Sequence, residues 1–244
     1  MKVMVLGANG ATGFNVVLQL LKQGFSVKAV ARNVDVFDSI KSGAPLEVIQ
    51  AAILEMDDQL LKRHVADTDA VISCLGHNIT LKGIYGKPRR LVTDALKRIV
   101  GAIGALDKSK TMKIILMNTT ACLNTIQNEK LSIKENAVMG IIRLLLPPHR
   151  DNEYALAYLI DTVGAHNERI EWIAVRPDSL INESEVSEYT VHPSTIRSPM
   201  FDPGKTSRIN VADFMARLLG DVELWEKWKF KTPVIYNKEL KNTK

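Results

Sequence analysis

Lys2-Val3-Met4-Val5-Leu6-Gly7-Ala8-Asn9-Gly10-Ala11-Thr12-Gly13 opens the chain with an apolar run that passes directly into three evenly spaced glycines. A buried strand feeding a glycine-rich turn and then a helix N-terminus aims free backbone N–H groups, and the positive end of the helix dipole, at one point that suits a pyrophosphate. Gly7 lets the chain turn off the strand, Gly10 lets the backbone approach the phosphates, and Gly13 lets the helix pack close to the sheet. The helix that follows places Phe14, Val17, Leu18 and Leu21 on one face and stops at Gly24, a left-handed cap. A second strand over Phe25 to Ala31 completes a βαβ unit, the context that a dinucleotide fingerprint requires. Gly7, Asn9, Gly10, Ala11, Thr12 and Gly13 form the expected cradle.

The end of the second strand is where the adenosine ribose would lie, and a carboxylate there would accept hydrogen bonds from the hydroxyls of NAD. This chain has Arg32. A guanidinium holds a 2′-phosphate by paired hydrogen bonds and stacks on adenine, so NADP is favoured over NAD. Asp35 lies close enough to weaken that preference, and Lys28 reads as a solvated strand residue.

With 244 residues, 46% of them apolar and 24% charged, the chain reads as one soluble globular domain spanning residues 1–244. Its formal charge of +5 is spread along the sequence, and the densest cluster, Lys87-Pro88-Arg89-Arg90, has neither aromatic interleaving nor zinc-ligand spacing. Nucleic acid is therefore not the expected partner, and no metal site is expected. Cys74 and Cys122 sit in or beside apolar runs and read as reduced core thiols. No signal-type segment follows Met1, and the longest later apolar stretch, Ala137 to Leu146, is short and broken by Gly140 and Arg143. A cytoplasmic protein without a membrane partner, monomeric or homodimeric, is the expectation.

Leu46 to Gln50 reads as a third strand and Ala70 to Leu75 as a fourth, ending at Gly76. Ligands of an open α/β sheet lie beyond the carboxyl ends of its strands, so Leu75 and Gly76 would pass the cofactor. A helix with Val92, Leu96, Ile99, Ile103 and Leu106 on one stripe leads to a fifth strand, Lys113 to Met117. The alternation predicts an α/β fold: a doubly wound, Rossmann-type parallel sheet with helices on both faces. The fifth strand ends in Asn118-Thr119-Thr120, placed either to meet a substrate carbonyl or nicotinamide or to cap the strand end. Two segments, about 121–150 and 177–206, read as substrate-facing insertions. The first has an apolar part, Val138 to Leu146, without a place in the sheet, consistent with a lid or a subunit contact. His149 and Arg150 are candidate substrate contacts, or simply the start of a helix capped by Asp151. Near the end, Asn210 reads as an N-cap with Asp213 in a capping box and Ile209 stapled to Phe214. Trp225 and Trp228 would pack a terminal helix onto the domain, and Lys241 to Lys244 reads as a frayed tail.

The chain resembles the atypical short-chain dehydrogenase/reductases, in particular the NmrA-like and flavin reductase or B-type biliverdin reductase group. The resemblance rests on Gly7 to Gly13, Arg32, Ala70 to Gly76, Asn118-Thr119, Val175-Arg176-Pro177 and Ser207 to Asp213, in this order and spacing. It implies that Gly7 to Gly13 and Arg32 hold NADP, that Leu75 and Gly76 line its ribose side, and that Thr119 takes the position of the family serine. The chain also departs from the pattern. Tyr154 could take the place of the superfamily's proton-donating tyrosine, but position 158 is a second tyrosine, and no lysine occurs between Lys134 and Lys205. A tyrosine with a reference pKa of about 10 then lacks its usual cationic helper. Nor does Ala51-Ala52-Ile53 retain the aspartate that often touches adenine.

A reaction that tolerates this loss is hydride delivery to an acceptor that is already an electron sink, a flavin or quinone, which collects its proton from water. Two other readings are an NADP-binding redox reporter without turnover and, less favoured, a nucleotide-sugar epimerase or dehydratase. Thr119 and Tyr154 are the catalytic candidates.

Overall fold

The computed structural model describes residues 1–78, 80–106 and 111–238; the Lys241 to Lys244 tail lies outside them. Strands β1 (Lys2–Leu6), β2 (Ser26–Ala31), β3 (Leu46–Gln50), β4 (Ala70–Ser73), β5 (Met112–Met117) and β6 (Ile170–Pro177) run parallel in the order β3-β2-β1-β4-β5-β6. The sheet is extended past β6 by two strands that the sequence reading lacked. They are β10 (Val234–Asn237), parallel to β6, and the edge strand β8 (Tyr189–His192), antiparallel to β10. The short β7 (Ser179–Ile181) and β9 (Lys205–Ser207) pair separately.

Helices cover both faces because the central strands are apolar on both. On one side α1 (Ala11–Lys22), α7 (Arg208–Gly220) and α8 (Val222–Trp228) close a core containing Val16, Val17, Leu20, Phe214 and Trp225. On the other, α2 (Asp58–Ala66), α4 (Leu91–Gly104) and α6 (Pro147–Ala157) bury Leu61, Leu96, Ile99 and Leu156. The stripe read for α4 is buried throughout, and both tryptophans of α8 are buried. The face read for α1 is rotated. Val16, Val17 and Leu20 are fully buried while Leu18 is 39% exposed, because Gly13 sets the contact with the sheet and the buried stripe follows it at helical spacing. Gly24, at φ +82°, follows the α1 C-cap as expected.

Three sequence expectations are corrected. Lys28 is buried rather than solvated, its ammonium 2.9 Å from Asp67 and 3.6 Å from Glu47; its alkyl stem lies along the sheet while the head reaches the carboxylates. The cap of α7 is Ser207, whose hydroxyl accepts from the Asn210 amide. Asn210 is buried one turn inside and donates to Ser187 and Asn237, while Asp213 accepts from the Tyr189 hydroxyl at 2.6 Å. The staple from Ile209 to Phe214 therefore does not apply, since the cap precedes Ile209. Finally, Asp151 does not cap its own helix: α6 begins four residues earlier at Pro147, and Asp151 serves α4 instead.

The insertion at 121–150 contains α5 (Ile133–Leu145), entered through a capping box between Ser132 and Glu135. It rests on the domain through buried Met139, and a short helix, α3 (Leu81–Tyr85), is tied to its end by a hydrogen bond from the Tyr85 hydroxyl to the Leu145 carbonyl, 2.9 Å.

Candidate functional site

The mouth of the sheet is assembled at the carboxyl ends of β1, β2, β4, β5 and β6. Gly7 turns the chain off β1 at φ +69°, and a Cβ there would stand 2.9 Å from the Cys74 carbonyl oxygen. A Cβ on Gly13 would stand 2.2 Å from the Gly7 carbonyl oxygen, so only glycine lets the first turn of α1 sit this close to the strand end. The Gly10 amide donates to the Gly7 carbonyl at 3.0 Å, closing the turn. Gly10 is the N-cap, no side chain caps the helix, and its first turn holds no acidic residue. The N-terminal amides of α1 therefore face the mouth without a carboxylate to compete with an anion. Asn9, Gly10 and Ala11 are exposed around them, whereas Thr12 is buried.

Arg32 leaves β2 exposed, with no carboxylate in ion-pair distance among the described residues; its carbonyl accepts from Gln50. Asp35 enters a short 3-10 helix, Asp35–Ser39, with its amide held by the Asn33 side chain. At the end of β4, Cys74 is buried and burial pushes its thiol up to about 12, so it is inert. Leu75 is half-buried, and a Cβ on Gly76 would meet no atom of the described residues within 4 Å.

On the far side of the mouth the polar groups are mostly engaged with one another. The Asn118 amide nitrogen donates to the Asn152 carbonyl of α6 at 2.9 Å, and its oxygen accepts from the Thr119 amide. Asn118 thus ties β5 to α6, the capping alternative for that residue. The Thr119 oxygen accepts from the Ala121 amide at 3.3 Å, and its hydroxyl proton is donated to no described residue. Thr119 is the hydroxyl left available to a ligand.

Asp151 is 1% exposed and accepts from the Val92 and Thr93 amides at 2.8 and 3.0 Å, from the Thr93 hydroxyl at 2.6 Å and from His77 at 2.8 Å. It caps α4 from another helix. Burial alone would push its carboxyl up, but these donors outweigh burial and hold it below the ordinary range. His77 comes from the turn just beyond Gly76, so the expected cofactor turn is tied to α6 through this carboxylate. Around the helix, His149 lies 3.3 Å from Glu153, which is also held by Arg143 at 2.7 Å. Against burial, His149 and Arg143 lower Glu153 to about 2. The Cys122 thiol is pushed up by burial and by the nearby Glu153 charge.

Tyr154 and Arg150 are brought together, with the guanidinium donating to the phenol oxygen at 2.8 Å. Both line depressions bounded by α4 and α5, whose linings do not include Thr119. The cation missing one turn after Tyr154 is replaced in space by Arg90, 4.8 Å from its ring centroid, and Lys97 stands 5.6 Å from the Tyr158 ring.

The two insertions meet in a polar cleft of about 510 Å³ lined by Thr120, Gln127, Glu129, Glu135, Ser194 and Arg197 among others. Glu129 is anchored by a two-pronged ion pair to fully buried Arg176, both contacts 2.7 Å. Ser194 donates to Gln127 and Ser198 to Glu135, strapping the second insertion to the first. The sequence reading marked Arg176 only through the resemblance, in Val175-Arg176-Pro177, and gave no sign of its ion pair or partner. His77, Glu153 and the bridging role of Asp151 carried no sequence signal.

A family model described as NAD(P)H-binding matches residues 7–222. The fold is shared with an oxidoreductase of Lactococcus lactis (TM-score 0.68, 16% identical, 98% of this chain and 92% of that one). It is shared with a candidate NADH-flavin reductase of Streptococcus pneumoniae (0.65, 17%, 98% and 100%) and an anaerobillin reductase of Escherichia coli (0.66, 15%, 100% of both). An uncharacterized chloroplastic protein of Arabidopsis thaliana is 41% identical over 76 residues, and the match spans 27% of that relative.

Proposed function

Because the chain belongs to the NAD(P)H-binding family, we propose that it is an NADPH-dependent reductase that delivers hydride to a flavin, a quinone or a similar conjugated acceptor. The cradle fits the cofactor: Gly13 lets the first turn of α1 pack against the Gly7 backbone, where a Cβ would collide, and the N-terminal amides of α1 carry no side-chain cap. Gly7 to Gly13 would hold the pyrophosphate and Arg32, unpaired at the end of β2, the 2′-phosphate that distinguishes NADPH from NADH. When bound, the nicotinamide supplies the hydride.

One observation carries the choice of acceptor. At the end of β5 the free polar group is the Thr119 hydroxyl, without a lysine-assisted tyrosine beside it. A neutral hydroxyl orients an acceptor by hydrogen bonding but does not drive protonation of an alkoxide, so an acceptor that takes its proton from water suits the site. Leu75 and Gly76 would border the ribose side, and the cleft between the insertions gives the acceptor its approach. His149 approaches Glu153 to 3.3 Å and walls this side, its buried Nε2 without a hydrogen-bond partner among the described residues.

NADPH consumption by the purified protein against a panel of flavins and quinones, with NADH in parallel and cofactor binding followed in the same samples, tests the reading. Turnover with NADPH ahead of NADH is expected. Tight NADPH binding with no turnover across the panel would replace it with a redox reporter, a reading favoured by the exposed Ile133, Ile141, Leu144 and Leu145 on α5, which suit a protein partner.

A further inference from the structure

We propose that the depression between α4, α5 and α6 is a binding site for a phosphate group, distinct from the dinucleotide cradle. Three adjoining hollows of about 220, 340 and 430 Å³ share Tyr154. Arg90 and Arg150 place their guanidinium carbons 4.8 and 5.6 Å from the centroid of that one ring, and Arg150 also donates to its hydroxyl. Arg89 lines the same hollow.

Stacking and a phenol oxygen orient these guanidiniums but do not neutralise them. Among the described residues no carboxylate stands within ion-pair distance of Arg89, Arg90 or Arg150. Of the carboxylates that line the three hollows, Asp151 is engaged by the amides of α4 and by His77, and Glu153 by Arg143; the third, Asp161, is exposed and shares the first hollow with Lys97 as well as Arg90, outside ion-pair distance of either. Like charges gathered on one ring repel, and an anion with several acceptor oxygens removes the repulsion while matching the planar donor forks. A phosphate does so better than a carboxylate, because three oxygens can serve more than one fork at once.

The outer wall adds a second requirement. Leu144 lines two of the hollows and is 80% exposed, and Leu145 beside it is 53% exposed. The bound phosphate therefore sits beside apolar surface, a chemistry shared by a soluble phosphomonoester with an apolar body and by the headgroup of an anionic lipid.

The test uses the full chain saturated with NADPH, so that the cradle is filled, and inorganic phosphate as the first probe, followed by calorimetry. Binding is expected, weakened at least about tenfold in Arg90→Gln/Arg150→Gln and retained in Arg90→Lys/Arg150→Lys, with NADPH affinity the same in all three proteins. The second arm is co-sedimentation with phosphatidylcholine vesicles containing phosphatidic acid. Sedimentation lost in both the glutamine variant and Leu144→Ser/Leu145→Ser assigns the phosphate to a lipid headgroup; phosphate binding without sedimentation assigns it to a soluble ligand. If neither probe binds, or if the glutamine variant binds both as the wild type does, the proposal is overturned. Because NADPH binding is read separately, this outcome leaves the reductase reading standing, and absence of turnover leaves the phosphate site standing.

Discussion

The glycine cradle and the polar braces beneath α6 frame the same mouth, but they are built at different ranges. The cradle is local: Gly7 and Gly13 face each other six positions apart, and Arg32 follows one βα unit later. The braces join residues far apart, His77 to Asp151 across 74 positions and Arg176 to Glu129 across 47. A local device is fixed by backbone geometry and fails by steric exclusion; a long-range device is fixed by buried charge and fails by leaving a charge without its partner.

The largest effect expected is therefore on the brace side. Arg176→Leu leaves Glu129 buried without its cation and should lower unfolding stability by about 3–5 kcal/mol, measured by denaturant titration. Since Arg176 holds Glu129 low against burial, that stabilisation is present at neutral pH and is lost as pH falls through the folded value. A loss under about 1 kcal/mol would mean that the pair is solvated on the timescale of unfolding and that the comparison is drawn too sharply.

On the cradle side, Gly13→Val should abolish NADPH binding and cost about 1–3 kcal/mol of stability, as overpacking does. The readout separates the two sides: cradle substitutions remove cofactor affinity, whereas Arg176→Leu should leave the affinity of the folded fraction nearly intact. Asp151→Asn comes next. It weakens a buried, charge-assisted cap and should cost about 1–3 kcal/mol. The Asp151 carboxyl titrates lower folded than unfolded, so its contribution is complete above the unfolded value of about 3.9 and is lost as pH falls through the folded one. The stability gap between wild type and Asp151→Asn should accordingly narrow below about pH 4, and a gap constant down to pH 3 would remove the charge from the explanation. Arg32→Glu is smaller in stability but specific: NADPH affinity should fall at least about tenfold more than NADH affinity, and equal losses would end the 2′-phosphate assignment.

The same difference in range explains what could be read from the sequence. The cradle, Arg32 and the first five parallel strands, each to within two residues, follow from local periodicity, since a strand, a glycine turn and a helix N-terminus each leave a contiguous signature. β10, a four-residue run behind Pro233, was too short to announce itself without the neighbour it pairs with. Asp151 looked like a local cap because Pro147-Pro148 and an acidic residue are what a helix start looks like; only the fold brings the N-terminus of α4 to it. Tyr154 was placed by its spacing from a missing lysine; one of its cationic partners, Arg150, lies a turn before it on α6, but the other, Arg90, comes from the N-cap of α4.

Thr119 is where the two sides meet, and its substitution gives the smallest and most discriminating effect. It follows Asn118, which is committed to α6, but its own hydroxyl proton has no acceptor among the described residues. If that proton orients the acceptor, Thr119→Ala should slow turnover by about tenfold, the worth of one hydrogen bond. NADPH affinity and thermal stability should stay near wild type, and Thr119→Ser should restore the rate because the hydroxyl rather than the methyl is required. An unchanged rate in Thr119→Ala would place the acceptor deeper in the cleft between the insertions, and the chemistry would then depend on the long-range half of the mouth alone.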